Sequence, residues 1–116
     1  MTKPYLYENI FLNHKILKMT LKEVTEQFEA AKGKMPNLGK SLKFVFDEGI
    51  VHVDLTGDEP VITNLDNDAD TTITTSLETL DGLRKGTVNP MTAVFTGKVK
   101  IKGDMGLAMK LQSFFS

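Results

Sequence analysis

The last twenty residues constrain this chain most. Val99-Lys100-Ile101-Lys102 alternates apolar and polar residues, as a half-buried strand does, and Gly103-Asp104 then interrupts it. A helix follows from Met105, and it is apolar over too much of its circumference. At about 100° per residue, Phe114, Leu107, Leu111, Phe115, Ala108, Met105 and Met109 share an arc of roughly 220°. Only Gln112 interrupts the arc, and Gly106, Lys110 and Ser113 complete the circle. A helix docked on a sheet needs an apolar stripe of only about 100° or a little more. The surplus demands a second apolar partner: more core, another chain, a membrane surface or a lipid held inside the fold.

With 116 residues the chain is one domain, long enough for a real core but with little left over. Its apolar and charged fractions are ordinary for a globular protein. The absence of cysteine excludes disulfides, thiolate metal sites and thiol nucleophiles, and suits a reducing cytoplasm. No run approaches the roughly 18 apolar residues of a spanning helix. The N-terminus lacks the basic-then-apolar layout of a signal peptide.

The net charge of −1 conceals an asymmetry. Residues 1–83 carry 8 Lys/Arg against 14 Asp/Glu, whereas residues 84–116 carry 6 against Asp104 alone. The basic end coincides with the surplus-apolar helix. Lys98, Lys100 and Lys102 alternate with Val99 and Ile101, so they read as the solvated side of a strand, or as a contact for an anionic membrane surface or head group. Nucleic acid is excluded as a partner, for there is no basic stripe interleaved with aromatics.

The remaining pattern predicts an α+β domain. Residues 1–18 are apolar-rich without a clean period and read as an extension, a short helix or arm, ahead of a domain over 19–116. Thr20-Leu21-Lys22-Glu23 is a capping box, and Leu21, Val24, Phe28 and Ala31 behind it form one helical face, with Gly33 as a stop. Strands follow over Leu42/Phe44/Phe46, over Val51/Val53/Leu55 and over Val61-Ile62-Thr63, separated by turns at Asp47-Glu48-Gly49 and Gly57–Pro60. After an acidic loop from Asn64 to Asp70 comes a strand at Thr71–Thr75. Thr75-Ser76-Leu77-Glu78 is a second capping box, opening a helix with Leu77, Leu80 and Leu83 that ends near Gly86. Asn89-Pro90 starts a short helix bearing Met91, Val94 and Phe95. The expected result is a sheet of about five strands, antiparallel or mixed, with helices on one face.

Polar constellations are weak. Asp66-x-Asp68-x-Asp70 opens like a calcium loop, but Thr71 stands where the turn glycine belongs and Leu77 where the closing Glu belongs. The segment is read as a solvated acidic turn. His52 and Asp54 share a strand face opposite Val51, Val53 and Leu55, which places them on the wet side of the sheet. Gly103-Asp104-Met105-Gly106 lacks the P-loop lysine and is read as a cap with a close helix–strand approach. No metal or cofactor is expected. Met91, Met105 and Met109 crowd the C-terminal quarter with Phe95, Phe114 and Phe115; flexible, polarizable Met suits either a core or a surface that accepts apolar ligands of varied shape.

Three blocks carry a family resemblance: Asp68-Ala69-Asp70-Thr71-Thr72-Ile73-Thr74, Leu83-Arg84-Lys85-Gly86-Thr87-Val88-Asn89-Pro90-Met91, and the long run from Phe95-Thr96-Gly97 through Gly103-Asp104-Met105-Gly106-Leu107-Ala108-Met109-Lys110-Leu111. From about Phe44 to Gln112, about 60% of the chain, the order of elements and these motifs resemble the sterol-carrier-protein family (type 2, non-specific lipid-transfer domains). That resemblance implies a five-stranded sheet with helices enclosing an apolar tunnel for fatty acids, acyl-CoA, sterols or phospholipids, taken with low selectivity. By position it puts Met105, Met109, Leu111 and Gln112 on the last, tunnel-associated helix and Leu80, Leu83, Met91 and Phe95 on the opposite wall. Phe44, Phe46, Ile73 and Ile101 become the floor, with Phe114 and Phe115 at the rim or touching a membrane. A Ser-Lys-Leu-like peroxisomal tripeptide is absent from Ser113-Phe114-Phe115-Ser116. The resemblance implies no catalysis; an accessory protein presenting a hydrophobic intermediate, such as an isoprenoid-quinone precursor, to a biosynthetic complex is the alternative.

Overall fold

The computed structural model describes residues 19–113, with side-chain surroundings through Lys110. The expected extension over residues 1–18 lies outside the described residues, as do Phe114 and Phe115.

Helix α1 (Leu21–Ala31) starts where the capping box places it. The Thr20 hydroxyl accepts the Glu23 N–H, and the Glu23 carboxylate accepts the Thr20 N–H in return. Val24, Phe28 and Ala31, spaced three to four residues apart, are its buried stripe. The helix gives way to a 3-10 turn at Lys32–Lys34.

Five strands build one mixed sheet: β1 (Ser41–Phe46), β2 (Gly49–Asp54), β3 (Val61–Thr63), β4 (Thr71–Thr74) and β5 (Lys100–Lys102), in the order β3-β2-β1-β4-β5. Strand β1 pairs antiparallel with β2 and parallel with β4, and β4 pairs antiparallel with β5. Register aligns the apolar residues into rows. Val51, Phe44, Ile73 and Ile101 lie side by side across four strands, and Ile62, Val53, Leu42 and Thr71 form the next row. Both rows face the helices: α1, α2 (Leu77–Lys85), α3 (Pro90–Phe95) and α4 (Met105–Ser113).

The parallel β1–β4 pair has a topological consequence. A chain leaving β3 at one edge must cross β2 and β1 before β4 can lie beside β1. The acidic segment 64–70 makes that crossing over the face away from the helices. There Lys43 Nζ meets Asp66 Oδ1 at 2.7 Å, and His52 Nε2 lies 2.9 Å from the Asp68 carbonyl oxygen. The Asp70 carboxylate accepts the Ser41 N–H at 2.9 Å and ties the end of the crossing to the start of β1. His52 is therefore only 6% exposed, which corrects its placement on a wet face. The segment is the solvated acidic turn expected, with Asp66, Asp68 and Asp70 exposed, and Asp66 and Asp70 also serve as acceptors that hold it against the outer sheet face.

Candidate functional site

The inner sheet face is filled under α1 and hollow under α2, α3 and α4. The hollow has about 480 Å³ of atom-free space when its open mouth is counted. Phe44, Ile73 and Ile101 form the floor, contributed by three adjacent strands. Leu80 and Leu83 from α2, Pro90 and Val94 from α3, and Ala108 and Met109 from α4 form the walls; Thr75 and Val99 close the lining.

Local rules position each wall. Ser76 caps α2 by accepting the Thr79 N–H at 3.0 Å, and Gly86 ends it in the left-handed conformation with φ of 81°. Asn89 caps α3 by accepting the Thr92 N–H, with Pro90 in the first turn. Asp104 caps α4 through the Gly106 and Leu107 N–H groups. Gly103, at φ of 124°, lets the chain turn off β5 in close approach to β4: a Cβ there would sit 2.6 Å from the Asp70 carbonyl oxygen. The Asp104 N–H donates to the Thr71 hydroxyl and fastens the start of α4 to that strand.

The cap of α2 differs from the expected one by a residue. Thr75 continues the β4 alternation, with its N–H bound to the Val45 carbonyl, so it belongs to the sheet rather than to the helix. Its side chain follows Thr71 and Ile73 inward, and its hydroxyl donates to the Lys98 carbonyl at 3.0 Å. Among the described residues of the lining, the one polar side-chain group is thus already partnered and the rest of the surface is apolar.

Of the residues expected around a tunnel, Phe44, Ile73, Leu80, Leu83, Ile101 and Met109 meet at this hollow. Phe46 is buried elsewhere in the core, stacked on Phe44 at 6.3 Å between centroids. Met91 and Phe95 are corrected: they are 63% and 91% exposed and turn away from the space they were expected to wall. Helix α3 carries two i,i+4 stripes, Pro90/Val94 and Met91/Phe95, and the smaller pair faces inward. Met105 is 43% exposed and outside the lining, while Leu107 and Ala108 of the same helix are buried. Leu111 and Gln112 continue α4, though their side-chain surroundings lie beyond the described residues.

Thr75, Pro90, Val94, Val99 and Ala108 were missed. Val99 was available from its two-residue spacing to Ile101, and Val94 from its four-residue spacing to Pro90. Thr75 looked like a cap and Ala108 is small. A second, smaller hollow lies between α1 and α2, lined by Met19, Val24, Gln27, Phe28, Leu80, Asp81 and Arg84. Leu80 is the wall common to both. Asp54, beside His52 in sequence, spends its carboxylate on the Thr56 hydroxyl and N–H, which hold it below the usual carboxylate range. No group of three His, Asp or Glu suited to a metal occurs among the described residues.

The architecture is shared with proteins of known class. The model of the SCP-2 sterol transfer family matches residues 11–116. Sterol carrier protein 2 of Bos taurus is 53% identical over 57 residues, which are 49% of this chain but only 10% of that protein. The structure of palmitated SCP2L2 from Aedes aegypti superposes with a TM-score of 0.61 at 22% identity, covering 84% of this chain and 95% of that one. A ubiquinone synthesis protein, UbiJ-SCP2, gives 0.56 at 17% identity and covers 97% and 90%. At such identities the superpositions establish the fold, while the sequence match over nearly the whole length establishes descent. The chain belongs to the SCP-2 sterol transfer family.

Proposed function

We propose that this protein is a non-enzymatic lipid carrier of the cytoplasm, taking fatty acids, acyl-CoA, sterols or phospholipids into the space beneath α2, α3 and α4. One observation carries the reading: a hollow between sheet and helices whose described lining is apolar, its single hydroxyl, that of Thr75, being internally satisfied. Binding is driven by transfer of apolar surface, about 0.8 kcal/mol per buried methylene, so chain length and volume decide affinity and selectivity is low. The palmitate held by the Aedes aegypti relative fits the same principle. Among the described residues no helix is long and apolar enough to cross a membrane, in keeping with a carrier.

The test is native mass spectrometry of the protein purified from its own host, with extraction of whatever it holds. A mixed population of fatty acids or phospholipids is expected. A single prenylated species would replace the carrier with an accessory role like that in the name of the ubiquinone synthesis relative. Empty protein that also refuses a fluorescent fatty acid would remove the lipid reading altogether. Hydrolysis of acyl-CoA that disappears in His52→Ala or Asp54→Ala would make the protein an enzyme.

A further inference from the structure

The hollow has a direction. Its floor runs across the sheet from Phe44 on β1 through Ile73 on β4 to Ile101 on the edge strand β5. Among the described lining residues, Pro90, Val94, Ile101 and Met109 are half-buried and the others are buried. Those four belong to α3, β5 and α4, so the mouth lies at the β5 edge of the sheet. The opposite end is closed. There Phe44 is 4% and Leu80 9% exposed, and Val51, beside Phe44 on β2, is fully buried under α1.

The partition at the closed end is thin. On the far side of Leu80 lies the minor hollow between α1 and α2, with about 280 Å³ of atom-free space when its own mouth is counted. Leu80 lines both spaces. Beside it the partition is two rings, Phe44 facing the major hollow and Phe28 the minor one, packed edge-on with centroids 4.9 Å apart. Each ring braces the other, and Phe44 sits on a strand paired on both sides. Leu80 has open space on two sides, so it makes fewer of the contacts that fix a leucine in a close-packed core. It is the member of the partition that a guest can press against and displace.

We propose that Leu80 is the stop that sets the length of acyl chain this protein accepts. A chain entering at the β5 edge, apolar end first, ends against Leu80, and the minor hollow is reserve space reached only when that side chain is out of the way. This role rests on the carrier reading, because the guest is the lipid. It adds a length limit to a site that otherwise ranks guests by apolar surface. Each methylene that finds room tightens binding by up to about fourfold, and each one beyond the stop adds nothing.

The test is displacement of a bound fluorescent fatty acid from the full-length protein by saturated fatty acids of increasing length. Affinity is expected to climb with length and then level off. In Leu80→Ala the levelling should move to longer acids, so that an acid two carbons beyond the original limit binds about tenfold tighter than it does to the unaltered protein. Leu80→Phe, which leaves no cavity, should move it to shorter acids and decides the matter if Leu80→Ala fails to fold. Gln27 lines the minor hollow from α1 and is half-buried. Gln27→Phe alone should leave the length profile unchanged, and combined with Leu80→Ala it should restore the original limit. An unmoved limit in both Leu80 variants, with uptake intact, overturns the stop and leaves the carrier standing. A shift in Leu80→Ala that Gln27→Phe does not reverse overturns it too, because the extra room then lies elsewhere. If the unaltered protein takes up no fatty acid of any length, the carrier reading falls and the stop falls with it.

Discussion

The two halves of the inner sheet face are packed in opposite ways. Under α1 the packing is closed: Val24, Phe28, Leu42, Val51 and Val53 are each at most 1% exposed. Phe28 reaches across to meet Phe44 edge-on, with ring centroids 4.9 Å apart and planes 74° apart. Under α2, α3 and α4 the same sheet faces the hollow, whose helical walls are Leu80, Leu83, Pro90, Val94, Ala108 and Met109. Phe44 is the border, touching the packed half with one edge and the hollow with another. One sheet therefore carries a half that holds the fold together and a half over which the helices stand off.

That division predicts its largest effect at Phe28. Phe28→Ala removes a fully buried ring at the centre of the closed half and should cost about 3–5 kcal/mol of unfolding free energy, read from the urea midpoint. Domains of this size hold only about 5–15 kcal/mol, so the variant is expected to lose much of its stability. Fatty-acid uptake by the fraction that remains folded should persist. A cost below about 1 kcal/mol would mean that the closed half is not closed.

The reverse result is expected at Ala108, which lines the hollow from α4. Ala108→Phe puts a ring into space instead of removing one. Uptake of a fluorescent fatty acid should weaken about tenfold or more, which is at least about 1.4 kcal/mol. The urea midpoint should move little, because extra volume is costly mainly where a core is already full. Similar stability losses in Phe28→Ala and Ala108→Phe would erase the distinction between the halves.

The closed half could be read from sequence almost completely, and the hollow half only in part, for a physical reason. Burial of Leu42, Phe44, Val51 and Val53 follows from two-residue alternation, and that of Val24 and Phe28 from helical spacing after a capping box. Periodicity reports which face of an element is apolar, not how far the facing elements stand apart. The family resemblance puts α3 on the wall by position but does not say which of its sides faces in, and Pro90 and Val94 face the hollow while Met91 and Phe95 do not. His52 shows a second limit. Its place on the face opposite Val51 and Val53 was correct, but its burial depends on segment 64–70 crossing that face, which only the parallel pairing of β1 and β4 requires. Long-range topology of that kind has no local signal.

A smaller effect is expected at the polar edge of the hollow. Thr75→Val keeps the shape of the lining but leaves the Lys98 carbonyl without the hydroxyl that now donates to it. The loss should be about 1 kcal/mol, seen in the urea midpoint, with fatty-acid uptake unchanged or slightly tighter. Weakened uptake would mean that this hydroxyl addresses the occupant rather than the Lys98 carbonyl.

The smallest expected effect lies at the seam between the halves, on α2. Asp81 borders the minor hollow with Phe28 and Leu80, and accepts Arg84 Nη2 at 2.7 Å and Lys85 Nζ at 2.9 Å. Burial pushes its carboxyl up, but the hydrogen bonds and charges of Lys85 and Arg84 outweigh burial, and the net shift is below the usual value of 3.8. A carboxyl whose folded value is depressed binds protons more readily when unfolded. Its stabilisation is therefore complete above the unfolded value near 3.8 and is lost as pH falls through the folded value below it. Both cationic partners are at least a third exposed, so solvent screens the pairs and their worth is about 0.5–1 kcal/mol together. Asp81→Asn should lower the urea midpoint by that amount at pH 7, the deficit should shrink in high salt, and it should vanish as the unaltered protein is acidified below its own Asp81 titration. A deficit that persists at low pH would mean that Asp81 acts by packing between the two halves and not by charge.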